Sequence, residues 1–566
     1  MSQTAKQPSG LLVAVYDFAL SRVSFDFFGF LVMAELKRRE KGLEGVHLVL
    51  VPADGDGFHP NLQYGLDQKK WRLKNIIIDG CWLLPSCRQL SVYQDREQAR
   101  AAIAGLRGPV FPDGYSIENP VPLWQYGWSI IEAHKGNDPR VLEASAQARA
   151  YIAEWRRAHA GERPLVSLTL REASHNAQRN VELSTWIEFA GWLEDEGYFP
   201  VLVRDTETAL LPRPAGLGKL ADFPTAAINI DLRLALYEAA FLNMGVTNGP
   251  SQLGNYSPIT RSLTFATGDW IDVEPTPMLN HSVDRGDTPS FSSKCQKWIW
   301  EKPAPDILKS EFENMARALS GLAEGSVQPL DEELRLPLIE VARRFHKTGE
   351  WDLFEAAAAD ALEREDAAAE VHYLRGLAAR ARYGGAEEAG GENWLAHFDA
   401  ASQALDAAGK PAADAARAVR MRAHMALLTG NYGAAENWLL RLSELEPADG
   451  WAHAELAQAR AEQGRAGEAI AELGATVAGG LESSECMEQM ARLHQAEGRL
   501  DEAVIHYRRA IDLDAGAAGA YLGIGMIFEA VDQPAEAKHI YQLAIDNGAG
   551  NPLIRSRLDK VLAQPD

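Results

Sequence analysis

Through the first two thirds of the chain, apolar runs of about five to eight residues alternate with amphipathic stretches, the spacing of strands and helices in a parallel sheet. LLVAVYDF (11–18), VHLVLVPA (46–53) and NIIIDGCWL (75–83) read as strands. Helices are predicted through FDFFGFLVMAELKRRE (25–40) and DREQARAAIAGL (95–106). A loop-rich stretch around 108–127 and a helical connector at 139–160 follow, and at 165 the pattern restarts. LVSLTL, FPVLVRD, AAINID and RSLTFATGD are its strands, NVELSTWIEFAGWLEDEG and LRLALYEAAFLN its helices, and GVTNGPSQL (245–253) a strand-turn-helix. A last helix is expected near 306–322.

Beyond that point the period changes. Ala435, Ala469, Ala503 and Ala537 are 34 residues apart, each after a helix-breaking turn: TGNYGAA, QGRAGEA, EGRLDEA, VDQPAEA. Gly430, Gly464 and Gly498 keep the same step, with Asp532 in the fourth place. Trp451, Leu456, Tyr507, Ala510, Tyr541 and Ala544 fall at spacings one helix face requires. This array resembles the tetratricopeptide repeat (TPR), a helix-turn-helix unit, and Pro447 ends a repeat as that family's proline does. One unit cannot bury its apolar face alone, so several must stack. A weaker unit, HKTGEWDLFEAA (346–357), starts the array out of phase, and YGGAEEAGGEN (383–393) reads as an inserted loop. Stacked helix pairs form a concave surface that commonly holds a protein segment. The plainer uses are a spacer or a homo-oligomer contact.

Composition narrows the function. The net charge of −23 argues against nucleic-acid binding and against docking on an anionic membrane, and 46% apolar content argues against disorder. Four widely spaced cysteines, Cys81, Cys87, Cys295 and Cys486, fit neither a disulfide framework nor a zinc motif. No run approaches the ~18–20 apolar residues of a membrane span and no signal peptide is visible, so a cytoplasmic protein is expected.

Two successive α/β units of about 150 residues resemble the GT-B glycosyltransferases, whose substrates lie in the cleft between two Rossmann-like domains. The expected organisation is therefore an acceptor domain over 1–160, a nucleotide-sugar domain over 161–330 and an α-solenoid of TPR helix pairs over 331–566. GVTNGPSQLGNYS (245–257) resembles the strand-turn-helix of heptosyltransferase-type enzymes. There Gly249 would let the backbone approach a diphosphate, Pro250 suits a first helical turn, and Thr247, Asn248, Ser251 and Gln252 add polar groups beside the helix-start amides. Arg171 and Arg204 directly follow strands, in LREASHNAQRN and RDTE. They resemble the phosphate-gripping arginines of GT-B fucosyltransferases, with Asp205 beside them; the plain alternative is a local salt bridge for each. Arg179, Asp231 and Glu238 are weaker candidates.

The resemblance also implies a general base in the first domain. Asp17 ends the first strand, where heptosyltransferase-like enzymes place an acid; Asp26 and His59 come next. Ser24 looks like a helix N-cap, which would make Asp26 an electrostatic helper of the first turn. Asp54-Gly55-Asp56 has the spacing of a metal-holding acidic pair but also reads as a Gly-rich turn, and no metal or cofactor is expected beyond the sugar-nucleotide co-substrate. Hydrolase, NTPase and dehydrogenase motifs are absent in their proper context. A glycosyltransferase whose repeats present a protein acceptor is expected. The alternatives are a transferase acting on a glycan, with the repeats used for assembly, and a non-catalytic scaffold.

Overall fold

The computed structural model describes residues 10–60, 64–121, 125–174, 177–266, 286–365, 367–383, 394–407, 412–550 and 552–562. The chain forms two compact units, Met1–Asp366 and Ala367–Asp566. The first holds two parallel sheets. One has the order β3-β2-β1-β4, with β1 Leu11–Asp17, β2 Gly45–Val51, β3 Cys87–Val92 and β4 Val110–Phe111. The other has the order β10-β9-β8-β5-β6-β7, with β5 Leu165–Thr169, β6 Phe199–Val203, β7 Ala221–Asp222, β8 Leu242–Val246, β9 Ser262–Phe265 and β10 Gln296–Ile299.

Both faces of these sheets are covered, which is why the strands read as apolar runs rather than alternating ones. Val13 and Val15 of β1 pack with Ala99 of the helix Arg96–Ile103. Tyr16 faces the other way, edge-on to Phe27 and Phe30 of the helix Phe27–Glu40. In the second sheet, Trp186, Phe189 and Leu193 from Leu183–Asp195 and Phe312 from Pro305–Ala318 cover one face. Helix Ile230–Ala239 lies against β5 and packs on helix Ala146–His159.

Several elements differ from the sequence expectation. NIIIDGCWL is helical: Leu73–Ile78 continues Leu66–Arg72 as a π-helix, and Cys81–Leu83 is a 3₁₀ turn. A short β-branched run buried on contact can be either element, and periodicity alone does not separate them. The third strand is instead CRQLSV (β3), whose mostly exposed edge position leaves it little apolar signal. AAINID spans two short helices, Pro224–Ile228 and the start of Ile230–Ala239, with Asn229 capping the second through Leu232 N–H. The connector is helical only from Ala146, and Gln125–His134 and β10 are elements the pattern did not predict.

The boundary expected at 330/331 lies at 366/367. The helix pair Leu338–Thr348 and Trp351–Arg364 packs on Gln125–His134 of the first unit. Leu353 fills the space a side chain at Gly127 would need, and Leu336 N–H donates to His134 Nδ1 at 2.9 Å.

The second unit is a run of packed helices from Ala368–Tyr383 to Pro552–Leu562, in which helices neighbouring in sequence pair. Ala435, Ala469, Ala503 and Ala537 are fully buried at the helix crossings. Gly430, Gly464 and Gly498 take φ of 70°, 81° and 79°, and Asp532 takes 59°, the left-handed turn between paired helices. The expected inserted loop falls on 384–393, outside the described residues. Close packing continues in Gly523, where a methyl would overlap the Tyr507 ring. Gly523→Ala is expected to destabilise this unit by about 1–3 kcal/mol, since overpacking forces ring or helix to move; urea unfolding of the array would measure it.

All four cysteines are free and buried. Among the described residues no helix is long and apolar enough to cross a membrane.

Candidate functional site

In the second sheet the strand order reverses between β5 and β8, and ligands of open parallel sheets bind in the crevice outside the carboxyl ends of the strands at such a reversal. Arg171 leaves β5 and the Asn248-Gly249-Pro250 turn leaves β8, so both stand at the sheet's carboxyl edge, where a cavity of about 30 Å³ is lined by Asn248 and Ser251. Arg171 is buried and donates to Asn180 Oδ1. Asn180 also bridges both backbone groups of Ala173, which pins the loop that carries Arg171. Arg179 lies beside the turn, donating to the Thr247 carbonyl at 2.9 Å. The Thr247 hydroxyl is buried with no partner among the described residues.

The first sheet's half of the unit packs directly on this turn. A Cβ at Gly249 would lie 2.7 Å from Phe25 Cδ2, and helix Phe27–Glu40 abuts Ser251–Asn255. The glycine therefore serves the approach of Phe25 rather than of a diphosphate. Tyr64 and Arg72 stand within electrostatic reach of Asp205 and Glu207 across the crevice. Burial lowers the Arg171 and Arg72 guanidinium pKa values, and Asp205, Glu207 and Tyr64 oppose that shift for both.

Three expectations about donor binding change. The helix opened by the turn is only Ser251–Asn255, and its first amides are already used: Ser251 N–H by Asn248 Oδ1 and Gln252 N–H by the Gly249 carbonyl. Anion affinity here must come from guanidinium groups, not from a helix dipole. Arg204 is buried and forks onto Glu172, at 3.0 and 3.2 Å, with Thr208 on the same carboxylate, so it is a structural ion pair. Its partner is Glu172, not the adjacent Asp205. Asp205 accepts from the amides of Glu172 and Glu207 and orders the loop after β6.

The base candidates separate as clearly. Asp17, at the first sheet's own order reversal, accepts from both terminal nitrogens of Arg96, at 2.8 and 2.9 Å, from Tyr115 Oη and from Ala19 N–H, both at 2.8 Å. Four bonds fill a carboxylate's acceptor sites, so Asp17 is a buried tie between β1, the Arg96 helix and the loop after β4, not a poised base. His59 is half-buried, and burial with the nearby cations Arg22 and Lys69 lowers its pKa, leaving it neutral near pH 7. Asp26 is exposed, its carboxylate accepts only from Ser24 Oγ (2.8 Å) among the described residues, and it follows Phe25 in sequence. The helix starts at Phe27, so Ser24 is not its cap.

Glu238 is buried, taking Ala144 N–H and the Arg149 guanidinium, and Asp231 takes the backbone and hydroxyl of Ser145; both anchor the start of helix Ala146–His159. Asp54 and Asp56 flank a turn built on left-handed Gly55 and Gly57; Asp56 accepts from Phe58 N–H and pairs with Lys69. Among the described residues no group of three or more His, Cys, Asp or Glu side chains could hold a metal ion. A polar cavity of about 540 Å³ opens at the carboxyl end of the first sheet, between Asp54, Asp95, Arg100 and Glu118.

Residues 484–516 match the tetratricopeptide-repeat family model, covering the helix pair Ser484–Ala496 and Leu500–Leu513. No curated protein matches the chain. Among solved structures, a thermophilic TPR protein of Thermus thermophilus is 16% identical, covers 35% of this chain and 100% of its own, and has a TM-score of 0.28. Pseudomonas aeruginosa pilF is 14% identical, with coverage of 40% and 96% and a TM-score of 0.28. Yeast Tom70 is 16% identical, with coverage of 46% and 54% and a TM-score of 0.30.

Proposed function

We propose that the first unit is a metal-independent glycosyltransferase of the two-lobed GT-B kind, and that the TPR array binds the protein it modifies. The observation that carries this reading is the placement of Arg171 and the 248–250 turn together at the β5/β8 reversal, with Phe25, next to Asp26 in sequence, packed on Gly249. A sugar nucleotide would lie with its diphosphate at Arg171. The acceptor oxygen attacks the anomeric carbon, Asp26 takes the acceptor proton, and the nucleoside diphosphate leaves with the bonding pair, its charge offset by the guanidinium. The cavity beside Asp54 and Glu118 offers room for the acceptor.

A non-catalytic scaffold is the second reading, and the commitment of Asp17 and Arg204 to structural ion pairs favours it. Thermal unfolding with UDP, GDP, CMP and ADP separates the two. One nucleotide at ~100 times its Kd should stabilise the first unit by about 2.7 kcal/mol, and no shift with any of them would leave the scaffold. Truncation after residue 365 keeps the helix pair 338–364 with its unit and should abolish modification of a protein acceptor while nucleotide binding persists. Modification at full rate without the array would defeat the protein-acceptor part.

A further inference from the structure

We propose that Arg72, contributed by the first sheet's half of the unit, binds the diphosphate of the sugar nucleotide opposite Arg171. This rests on the crevice being the nucleotide site.

Arg72 ends the helix Leu66–Arg72 where the backbone passes into the π-helix Leu73–Ile78, a local widening often found at functional positions. Its Nε donates to the Val23 carbonyl at 2.7 Å, and its guanidinium lies over the Tyr64 ring, 4.3 Å from the centroid. Two contacts fix the plane of the group. Neither uses its terminal nitrogens, which have no hydrogen bond or ion pair to any described residue. Arg96, Arg140 and Arg204 each fork onto a carboxylate, and the buried Arg233 and Arg261 donate to backbone carbonyls.

The location matches the orientation. Val23, which aims the group, belongs to the same turn as Phe25, the residue packed on Gly249. Tyr64, Asp205 and Glu207 act electrostatically on Arg72 and on Arg171 alike. Asp26 also acts electrostatically on Arg72. Asp205 and Glu207 are themselves held by the amides of Glu172 and Ser174. Both guanidinium groups carry a desolvation cost, and a ligand with two or more negative charges offsets that cost while filling planar donor pairs. With the helix-start amides satisfied internally, a second guanidinium supplies what the turn does not.

Calorimetric titration of the full chain with UDP, GDP, ADP, their monophosphates and inorganic pyrophosphate tests this. Arg72→Met keeps an unbranched side chain and removes the charge and the guanidinium over Tyr64. It should weaken the preferred nucleoside diphosphate by about tenfold to a hundredfold, and the matching monophosphate less. Arg72→Lys should lose less than the Met variant, because charge returns without the fork. Pyrophosphate binding with the same Arg72 dependence would place the contact on the anion rather than the base. Diphosphate binding in Arg72→Met within about twofold of the unsubstituted chain overturns the assignment and leaves the nucleotide reading standing. An unsubstituted chain that binds no compound of the panel overturns both.

Discussion

Asp17→Ala is expected to destabilise the first unit by about 3–5 kcal/mol, because it leaves a partly buried guanidinium and a phenol without the carboxylate that satisfies them. Asp17 is 5% exposed and receives four hydrogen bonds. Burial and the adjacent carboxylate push the Tyr115 hydroxyl far above its usual range, so it stays a donor at any ordinary pH. Deleting the carboxylate removes the acceptor of Tyr115 and leaves Arg96 only the carbonyls of Pro52 and Ile117, and three chain segments lose their common tie. Urea denaturation measures the loss. Asp17→Asn should cost less, as the amide oxygen still accepts, and should leave any transfer activity of the folded fraction intact. If Asp17 were the catalytic base, the pattern would invert: near-native stability and no turnover in Asp17→Asn.

Arg171→Ala should reduce affinity for the preferred nucleotide by about a hundredfold, the loss of a charge-assisted donor pair from a desolvated site. The fold of the loop should survive. Asn180 keeps both of its bonds to Ala173, and Val181 N–H still reaches the carbonyl of residue 171. Lysine at 171 restores the charge and not the fork, so partial recovery is expected. Calorimetric titration reads both variants, and a change under threefold for the alanine variant would place the phosphate elsewhere.

The parts of the molecule that obey local rules were readable from the chain. The repeat announced itself because one residue type recurs at each helix crossing and one backbone conformation recurs at each turn; Asp532 substitutes for glycine and still adopts the left-handed φ. Strands buried on both faces gave apolar runs, and the ends of β5 and β8 could be located from them, which is how Arg171 and the 248–250 turn came to notice. Short apolar runs without length or flanking turns misled, as NIIIDGCWL and AAINID show. Pairings were invisible. Asp17 finds Arg96 and Tyr115 at separations of 79 and 98 residues, and Arg204 finds Glu172 at 32. Such long-range partners turn a suspected base or phosphate ligand into a structural pair, and no spacing rule reports them. Arg72 and Tyr64 belong to no motif; the only trace is a basic and aromatic run, KKWRLK, after a loop. The helix pair 338–364 looks like repeat helices by sequence, yet it is assigned by the side chains on Gln125–His134 that it covers.

The most direct measurement is a crystal structure of the chain with the nucleotide that stabilises it most. The account predicts diphosphate density at the carboxyl ends of β5 and β8, within hydrogen-bond reach of Arg171 and across from Phe25 and Asp26. Density bound instead beside Asp54 and Glu118, with the β5/β8 crevice left to solvent, would contradict it.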